Sequence, residues 1–136
     1  MMKDIRPALR AFMLGDAAIA SRVLTRIYPL KLPQGVTGDS IVYTRVSAIS
    51  GHSMAGRDGL ARVRMQIDAW ATTGDAAASL ANLIKDRIDG YKGTMGAGDA
   101  AVMVGGVFFD GERDDHDDAA KLYRTSRDYR IWHDEI

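Results

Sequence analysis

The alternation of apolar and polar residues is clearest between residues 60 and 72, which read LARVRMQIDAWAT. The residues on the apolar side are Val63, Met65, Ile67 and Ala69. Arginines, a glutamine and an aspartate occupy the other side. Because successive side chains of a strand point to opposite faces, this pattern predicts a strand with one buried and one polar face. Trp70 interrupts the polar side, which predicts that this end of the polar face is covered too.

Weaker patterns place the other elements of what we predict to be one domain over residues 1–136. Further strands are predicted at 41–49, 101–110 and 121–133, and helices after Asp4, after Asp16 and over 73–90. The connector before residue 40 is predicted to be irregular apart from a short extended piece at Arg26-Ile27-Tyr28, and 50–59 and 91–100 are predicted loops. The expected fold class is α+β, with a single four-stranded, mainly antiparallel sheet and the helices packed on one face. A mixed sheet is left open.

Composition narrows the range of functions. The 136 residues include 18 lysines and arginines and 18 aspartates and glutamates, so the chain lacks the basic excess of a protein that binds nucleic acid regardless of sequence. It contains no cysteine, which excludes disulfides and cysteine-ligated metals. No apolar run reaches the roughly 20 residues of a membrane-spanning helix, and the first residues lack the apolar core of a signal peptide. We therefore predict a soluble protein made in a cytoplasm.

The stretch DGERDDHDD, residues 110–118, raises the question of a metal or acid–base site. It begins with the turn dipeptide Asp110-Gly111 and joins two predicted strands, which favours a solvated turn. It lacks the offsets of a calcium-binding EF loop, and His116 has no partner at the fourth residue after it. The alternative left open is a small metal-dependent hydrolase that would use Asp114, Asp115, His116 and Asp118.

Other segments offer little chemistry. The histidines are scattered, and no Gly-x-Ser-x-Gly elbow supports a set such as Ser53, His116 and Asp118. The segment GTMGAGD, residues 93–99, lacks the Gly-Lys-Ser/Thr of a phosphate loop and precedes a predicted strand instead of a helix. We therefore predict no catalytic residue, no cofactor and no bound metal.

The polar face of the sheet is predicted to meet another subunit, because interfaces favour aromatic residues and arginine. The strand residues predicted at this interface are Arg64, Asp68, Trp70, Arg127 and Trp132. The residues predicted from the 50–59 loop are His52, Met54 and Arg57. Interleaved acids such as Asp68 and Asp128 favour a charge-paired face over a basic strip.

Six segments of the chain, taken together with their order and separations, carry a resemblance to a known family. They are ALRAFMLGDAAIA, TRIYPLKLPQG, LARVRMQIDAWATT, IDGYKGT, DGERD and LYRTSRDYRIW. Together they resemble the phage tail completion family, also called tail terminator proteins, which is found in siphophage-like virions and in gene transfer agents. The most specific pieces are Arg26-Ile27-Tyr28-Pro29, Gln66-Ile67-Asp68-x-Trp70 and Tyr123-Arg124…Asp128…Trp132. The resemblance covers residues 5–133, and the acidic DDHDDAA insert departs from it.

The resemblance implies a structural virion protein, assembled in the bacterial host cytoplasm, that forms a hexameric ring at the head–tail junction. The ring would cap the tail tube, stop polymerisation of the tube protein and present a surface to the head-side connector or stopper. DNA would pass through without specific binding, and no membrane is involved. An acidic loop containing Asp114, Asp115, Asp117 and Asp118 would face the channel and repel phosphate. No catalytic residue follows from the family.

Two rival functions remain open at this point. One is another connector or stopper protein of the same neck, which only the position of the ring in the particle would distinguish. The other belongs to a different class and is the metal-dependent hydrolase built on residues 114–118.

Overall fold

The computed structural model describes residues 3–53 and 56–135, and the side chains of residues 52–58 are outside that description. In this part of the chain the helices are α1 (Ile5–Leu14), α2 (Ala17–Val23) and α3 (Gly74–Ile88), with a short 3₁₀ turn at Gly98–Ala100. The strands are β1 (Ile27–Pro29), β2 (Ser40–Ser53), β3 (Gly56–Ala71), β4 (Gly93–Met95), β5 (Val102–Asp117) and β6 (Leu122–Asp134).

The strands form one six-stranded mixed sheet in the order β1-β2-β3-β6-β5-β4, which curls into a half-barrel. β1 pairs with β2 in parallel, whereas the other neighbouring pairs are antiparallel. The predicted four-stranded sheet is therefore wrong. The prediction missed β1 and β4 as members of the sheet because each has three residues, which is too short for an alternation of side chains to show.

Each helix begins after a residue whose side chain accepts a hydrogen bond from a backbone N–H of the first turn. The Asp4 carboxylate accepts a hydrogen bond from the backbone N–H of Arg6, and that of Asp16 accepts one from Ala18, both at 3.0 Å. The Thr73 hydroxyl accepts one from the backbone N–H of Ala76. These bonds satisfy backbone donors that a helix leaves unpaired in its first turn. The hydrogen bond from the Arg6 side chain lowers the pKa of Asp4 to about 2.

The helices cover one face of the sheet, as predicted. Apolar residues of α1, α2 and α3 join alternate residues of β3 in a single buried cluster that also includes Tyr129 and Ile131 of β6. The β3 residues in this cluster are Val63, Met65, Ile67 and Ala69. The alternation along β3 therefore identifies its buried side correctly.

Two predicted loops are largely strand. β5 continues through Asp110-Gly111, where its register with β6 shifts by one residue, and the chain turns only at residues 118–121. A turn dipeptide thus marks a β-bulge here, since a bulge accommodates the same backbone irregularity as a turn. In the 50–59 segment, β2 continues to Ser53 and β3 begins at Gly56. Because β6 pairs with β3 only as far as Leu60, the preceding residues extend as a two-stranded ribbon.

Candidate assembly interface

The face of the sheet opposite the helices, which we call the open face, holds the polar side of β3 and its partners on β6. The opposed pairs, in order along β3, are Arg62 with Trp132, Arg64 with Arg130, Gln66 with Asp128, Asp68 with Ser126, and Trp70 with Arg124. The two tryptophans lie near opposite ends of this series, and their surroundings differ.

The end that carries Trp70 is covered by the chain itself. Trp70 is 9% exposed and clusters with Val42 and Leu122, and Leu32 packs against the cluster. The Arg124 guanidinium lies 5.3 Å from the centre of the Trp70 ring. Residues 30–37 border a groove of about 710 Å³ beside this cluster. The sequence-based inference that this end of the polar face is covered is therefore correct.

Asp68 is also enclosed at this end, with 4% of the residue exposed. Its carboxylate accepts hydrogen bonds from the Ser126 hydroxyl and from the Gln66 amide. Arg124 lies 3.8 Å away and supplies the opposite charge. Asp68 and Trp70 thus make their contacts within the subunit, and their predicted role at a subunit interface remains untested.

The acidic stretch forms a ladder of cross-strand ion pairs along the β5–β6 hairpin. The pairs are Asp110 with Arg130, Glu112 with Arg127, Arg113 with Asp128, and Asp115 with Arg124. A hydrogen bond from the backbone N–H of His116, and then the Arg124 guanidinium, lower the pKa of Asp115. Among the described residues, no group of three or more His, Asp or Glu could hold a metal ion. Arginine side chains lie beside the carboxylates of Asp110, Glu112 and Asp115.

The four acids predicted to line a channel do not share one environment. Asp114 accepts a hydrogen bond from the Thr125 hydroxyl, and Asp115 pairs with Arg124, so both face their own hairpin. Asp117 accepts hydrogen bonds from two backbone N–H groups within the 118–121 turn. Asp118 is 99% exposed at its side chain and lies 2.9 Å from a His116 ring nitrogen. Three of the four lie on β5 and only Asp118 lies in the turn, so the predicted acidic loop is mostly strand.

Arg127 occupies the helix-covered side of the sheet. It is 8% exposed, bonds to Glu112 at 2.7 Å and to the Asn82 amide oxygen at 2.9 Å, and lies over the Phe109 ring. Its guanidinium is therefore satisfied largely by its own subunit, and nothing in these contacts tests its predicted interface role.

The end of the open face that carries Trp132 is not covered. Here an Arg/aromatic patch is formed by Ile49, Arg62, Arg64, Phe108, Arg130 and Trp132. Ile49 is 60% and Phe108 43% exposed. The Phe108 and Trp132 rings meet edge to face at 6.1 Å, and the guanidinium groups of Arg62 and Arg130 lie over these rings at 5.0 and 5.4 Å. Aromatic residues and arginine in this arrangement are typical of protein–protein contact surfaces.

A close approach within β5 shapes this patch. A Cβ atom at Gly106 would lie 2.8 Å from the tip of the Phe108 ring. Glycine at this position therefore gives the ring the space in which it packs beside Trp132.

Arg64 and Arg130 face each other directly across β3 and β6. Arg130 bonds to Asp110, but Arg64 has no acidic partner among the residues whose side chains are described, and it is exposed. Like charges directly opposite in a sheet are destabilising. The patch therefore contains one arginine, Arg64, whose charge is not neutralised by any described side chain.

Sequence reasoning identified part of this patch and missed the rest. It named Arg64 and Trp132, but not Arg62 and Arg130 on the same two strands. It also missed Ile49 and Phe108, because their proximity depends on the register of β2 and β5 against the central strands. Of the loop candidates, Met54 lies outside the described residues. His52 and Arg57 oppose each other in the β2–β3 pairing, and their side chains also lie outside the description.

The fold and the open face define a class: a small α+β domain with an uncovered surface suited to contact with another protein. No helix in the described part of the chain is long and apolar enough to cross a membrane. The family model for tail completion protein gp17 matches residues 7–134. The chain belongs to this family, as its sequence resemblance predicted. It is a structural protein of a phage-type tail and a component of a virion.

A solved structure supports the fold independently. A chain from the virion of a native gene transfer agent particle superimposes with a TM-score of 0.76 and 16% sequence identity, over 96% of this chain and 94% of that one. At this identity the likeness establishes the shared fold. No curated protein matches the chain.

Proposed function

We propose that this chain is a tail terminator, which forms a ring on the end of the tail tube, stops addition of tube subunits and provides the surface that joins tail to head. The observation that carries the proposal is the family match over residues 7–134. The uncovered Arg/aromatic patch supports it, since an assembly subunit needs a surface that is completed by a partner.

The mechanism is geometric and uses different surfaces of one subunit. A closed ring is a heterologous assembly, in which each subunit presents two different patches to its two neighbours. Six copies would close the ring. One side of the ring would match the last ring of tube protein, and the other would match the head-side connector. Addition of tube protein stops because the side of the ring that matches the head-side connector does not match tube protein.

Passage of DNA is compatible with the charge of the chain. Lysines and arginines equal aspartates and glutamates at 18 each, so the ring would carry no net attraction for phosphate. Most arginines of the β5–β6 hairpin are neutralised by acids on the facing strand. DNA would therefore slide through the ring without being retained.

The test is to produce particles without this chain and to measure tail lengths by negative-stain electron microscopy. A terminator predicts overlong tails that lack heads, and normal tails when the chain is supplied again. Tails of normal length that lack heads would instead identify a head-side connector or stopper. A gold-labelled terminal tag should appear at the head-proximal end of the tail.

Variants would link this function to the patch. Replacing Arg64 and Trp132 together by alanine should leave a folded subunit that does not restore tail length. Asp86, exposed on α3, provides the matched control, since Asp86→Ala should restore normal particles. Full restoration by the patch variant would show that termination does not use this surface.

A further inference from the structure

We propose that the Arg/aromatic patch of one subunit receives the acidic β5–β6 turn, residues 117–121, of a second copy of this chain. This inference rests on the ring proposed above and assigns the contact that closes it. It also replaces the predicted channel-facing role of Asp117 and Asp118, because these carboxylates would face the neighbouring subunit.

The patch has the properties of a receptor for an acidic group. Arg64 opposes Arg130 across the sheet, and only Arg130 has an acid beside it within the described chain. A carboxylate placed between the two guanidinium groups would turn this repulsion into attraction. The exposed Ile49 and Phe108 side chains flank the arginines and would exclude water around such a pair.

The turn has the complementary properties. Residues 110–124 contain six acids against three lysines and arginines. Of these acids, Asp118 is 99% exposed at its side chain, and among the described residues it pairs with the His116 ring alone. Ala119 and Ala120 follow it and are exposed. A turn with an uncovered carboxylate and two small apolar side chains can lie flat against rings and guanidinium groups.

The two surfaces cannot meet within one subunit. The turn precedes Leu122, and Trp132 lies ten residues further along β6, a separation of roughly 33 Å along an extended strand. Complementary surfaces at opposite ends of a rigid sheet can meet each other only between two copies, head to tail. Such a contact is heterologous, as a ring requires.

Two other occupants of the patch are nucleic acid and an acidic surface of the tube protein. Nucleic acid would be attracted by the arginines, but Arg130 already has a carboxylate and Ile49 offers a phosphate no partner. An acidic surface of the tube protein would satisfy the charges equally. The second copy is favoured because the same chain carries the complementary turn, whose Asp118 has no lysine or arginine partner among the described residues.

Cross-linking in assembled particles tests the contact directly. The chain contains no cysteine, so a variant with Ile49→Cys and Ala119→Cys carries only the two reporter thiols. A short bifunctional thiol reagent should give a ladder of linked subunits, because the two positions are too far apart within one chain. Each single variant, and the pair Asp86→Cys with Ala119→Cys, should give none. Normal particles without a ladder from the reporter pair would overturn the proposal.

A charge exchange tests the chemistry of the contact. Arg64→Glu alone and Asp118→Lys alone should each weaken subunit association about tenfold, the loss expected for one close charge pair, and reduce the yield of complete particles. The double variant should recover most of that yield. Failure of the double variant to recover, with both single variants folded by circular dichroism, would contradict the pairing.

Salt-sensitive binding of a DNA duplex that Arg64→Glu abolishes would also overturn the proposed contact in favour of nucleic acid. Overlong tails in the absence of the chain would still support a terminator in either case.

Discussion

The two tryptophans lie on the same face of one sheet, on adjacent strands, yet only one of them is enclosed by its own chain. Trp70 packs with Val42 and Leu122 under an arginine that is held by Asp68 and Asp115. Trp132 packs edge to face on an exposed Phe108 beside Arg64, which lacks an acidic partner in the described chain. The same residue type therefore serves the fold at one end of the face and is left available to a partner at the other.

The largest expected effect comes from truncating the two tryptophans. Trp70→Ala should lower the free energy of unfolding by about 3 kcal/mol or more, since it leaves a cavity in a buried cluster. Trp132→Ala should lower it by about 1 kcal/mol, mainly through loss of the contact with Phe108. Urea denaturation followed by circular dichroism measures both. Equal losses would remove the distinction between the two ends.

Fluorescence provides an independent check on the same pair. With one tryptophan replaced by phenylalanine, the other reports its own surroundings. Acrylamide should quench Trp132 more strongly than Trp70 in the isolated subunit, and assembly should protect Trp132 alone.

Removing the acid that anchors the covered end has the next largest effect. Asp68→Ala should cost about 2 kcal/mol of unfolding free energy, because the buried Ser126 hydroxyl loses its acceptor and Arg124 loses one of its two acidic neighbours. Thermal denaturation at constant pH measures the loss. Asp86→Ala, on the exposed side of α3, is the control and should change little. A cost near zero for Asp68→Ala would mean that the covered end does not depend on its acid.

At the other end, removing an arginine should stabilise the isolated subunit slightly. Arg64→Thr should raise the free energy of unfolding by a few tenths of a kcal/mol, because it relieves the repulsion of Arg130 and introduces a residue that favours strands. The same variant should assemble poorly. A clear loss of subunit stability would show that Arg64 serves the fold and would weaken the contrast between the ends.

The smallest effect concerns the pH dependence of Asp115, which holds Arg124 over Trp70. Its pKa in the folded protein lies below the ordinary 3.8, through the His116 backbone N–H and then Arg124. A group with a lowered folded pKa contributes stability above its unfolded pKa, and that contribution is lost as the pH falls through the folded value. NMR titration of the carboxyl groups should therefore give Asp115 a titration midpoint below pH 3.8. A titration midpoint at or above that value would mean that neither the hydrogen bond from the His116 backbone N–H nor the pair with Arg124 lowers this pKa.

Features of the fold that depend on local residue patterns could be predicted from the sequence. Features that depend on which strands pair, and in which register, could not. The buried side of β3, the three helix caps and the cover over Trp70 follow from local patterns of residue type. β1 and β4 do not, because three residues carry no period and their membership of the sheet depends on distant strands. The Asp110-Gly111 dipeptide predicts a turn where the structure has a bulge, since only the partner strand shows that pairing resumes after it.

The candidate site shows the same division. Arg64 and Trp132 stand out within their own strands as large side chains on a polar face. Ile49 and Phe108 become part of the patch only through the registers of β2 and β5, each of which contains a bulge. A single bulge moves every following side chain to the other face, so alternation along an isolated strand could not place them.

The space left beside Phe108 by Gly106 has a consequence for how this surface can evolve. Gly106 does not adopt a backbone conformation that only glycine tolerates, so a mutation there would leave the fold intact while displacing the Phe108 ring. Lineages that replace this glycine should therefore also change the residue at 108, whereas lineages that keep it remain free to keep phenylalanine. If related chains change positions 106 and 108 together, this pattern would indicate a contact surface that diverged together with its partner.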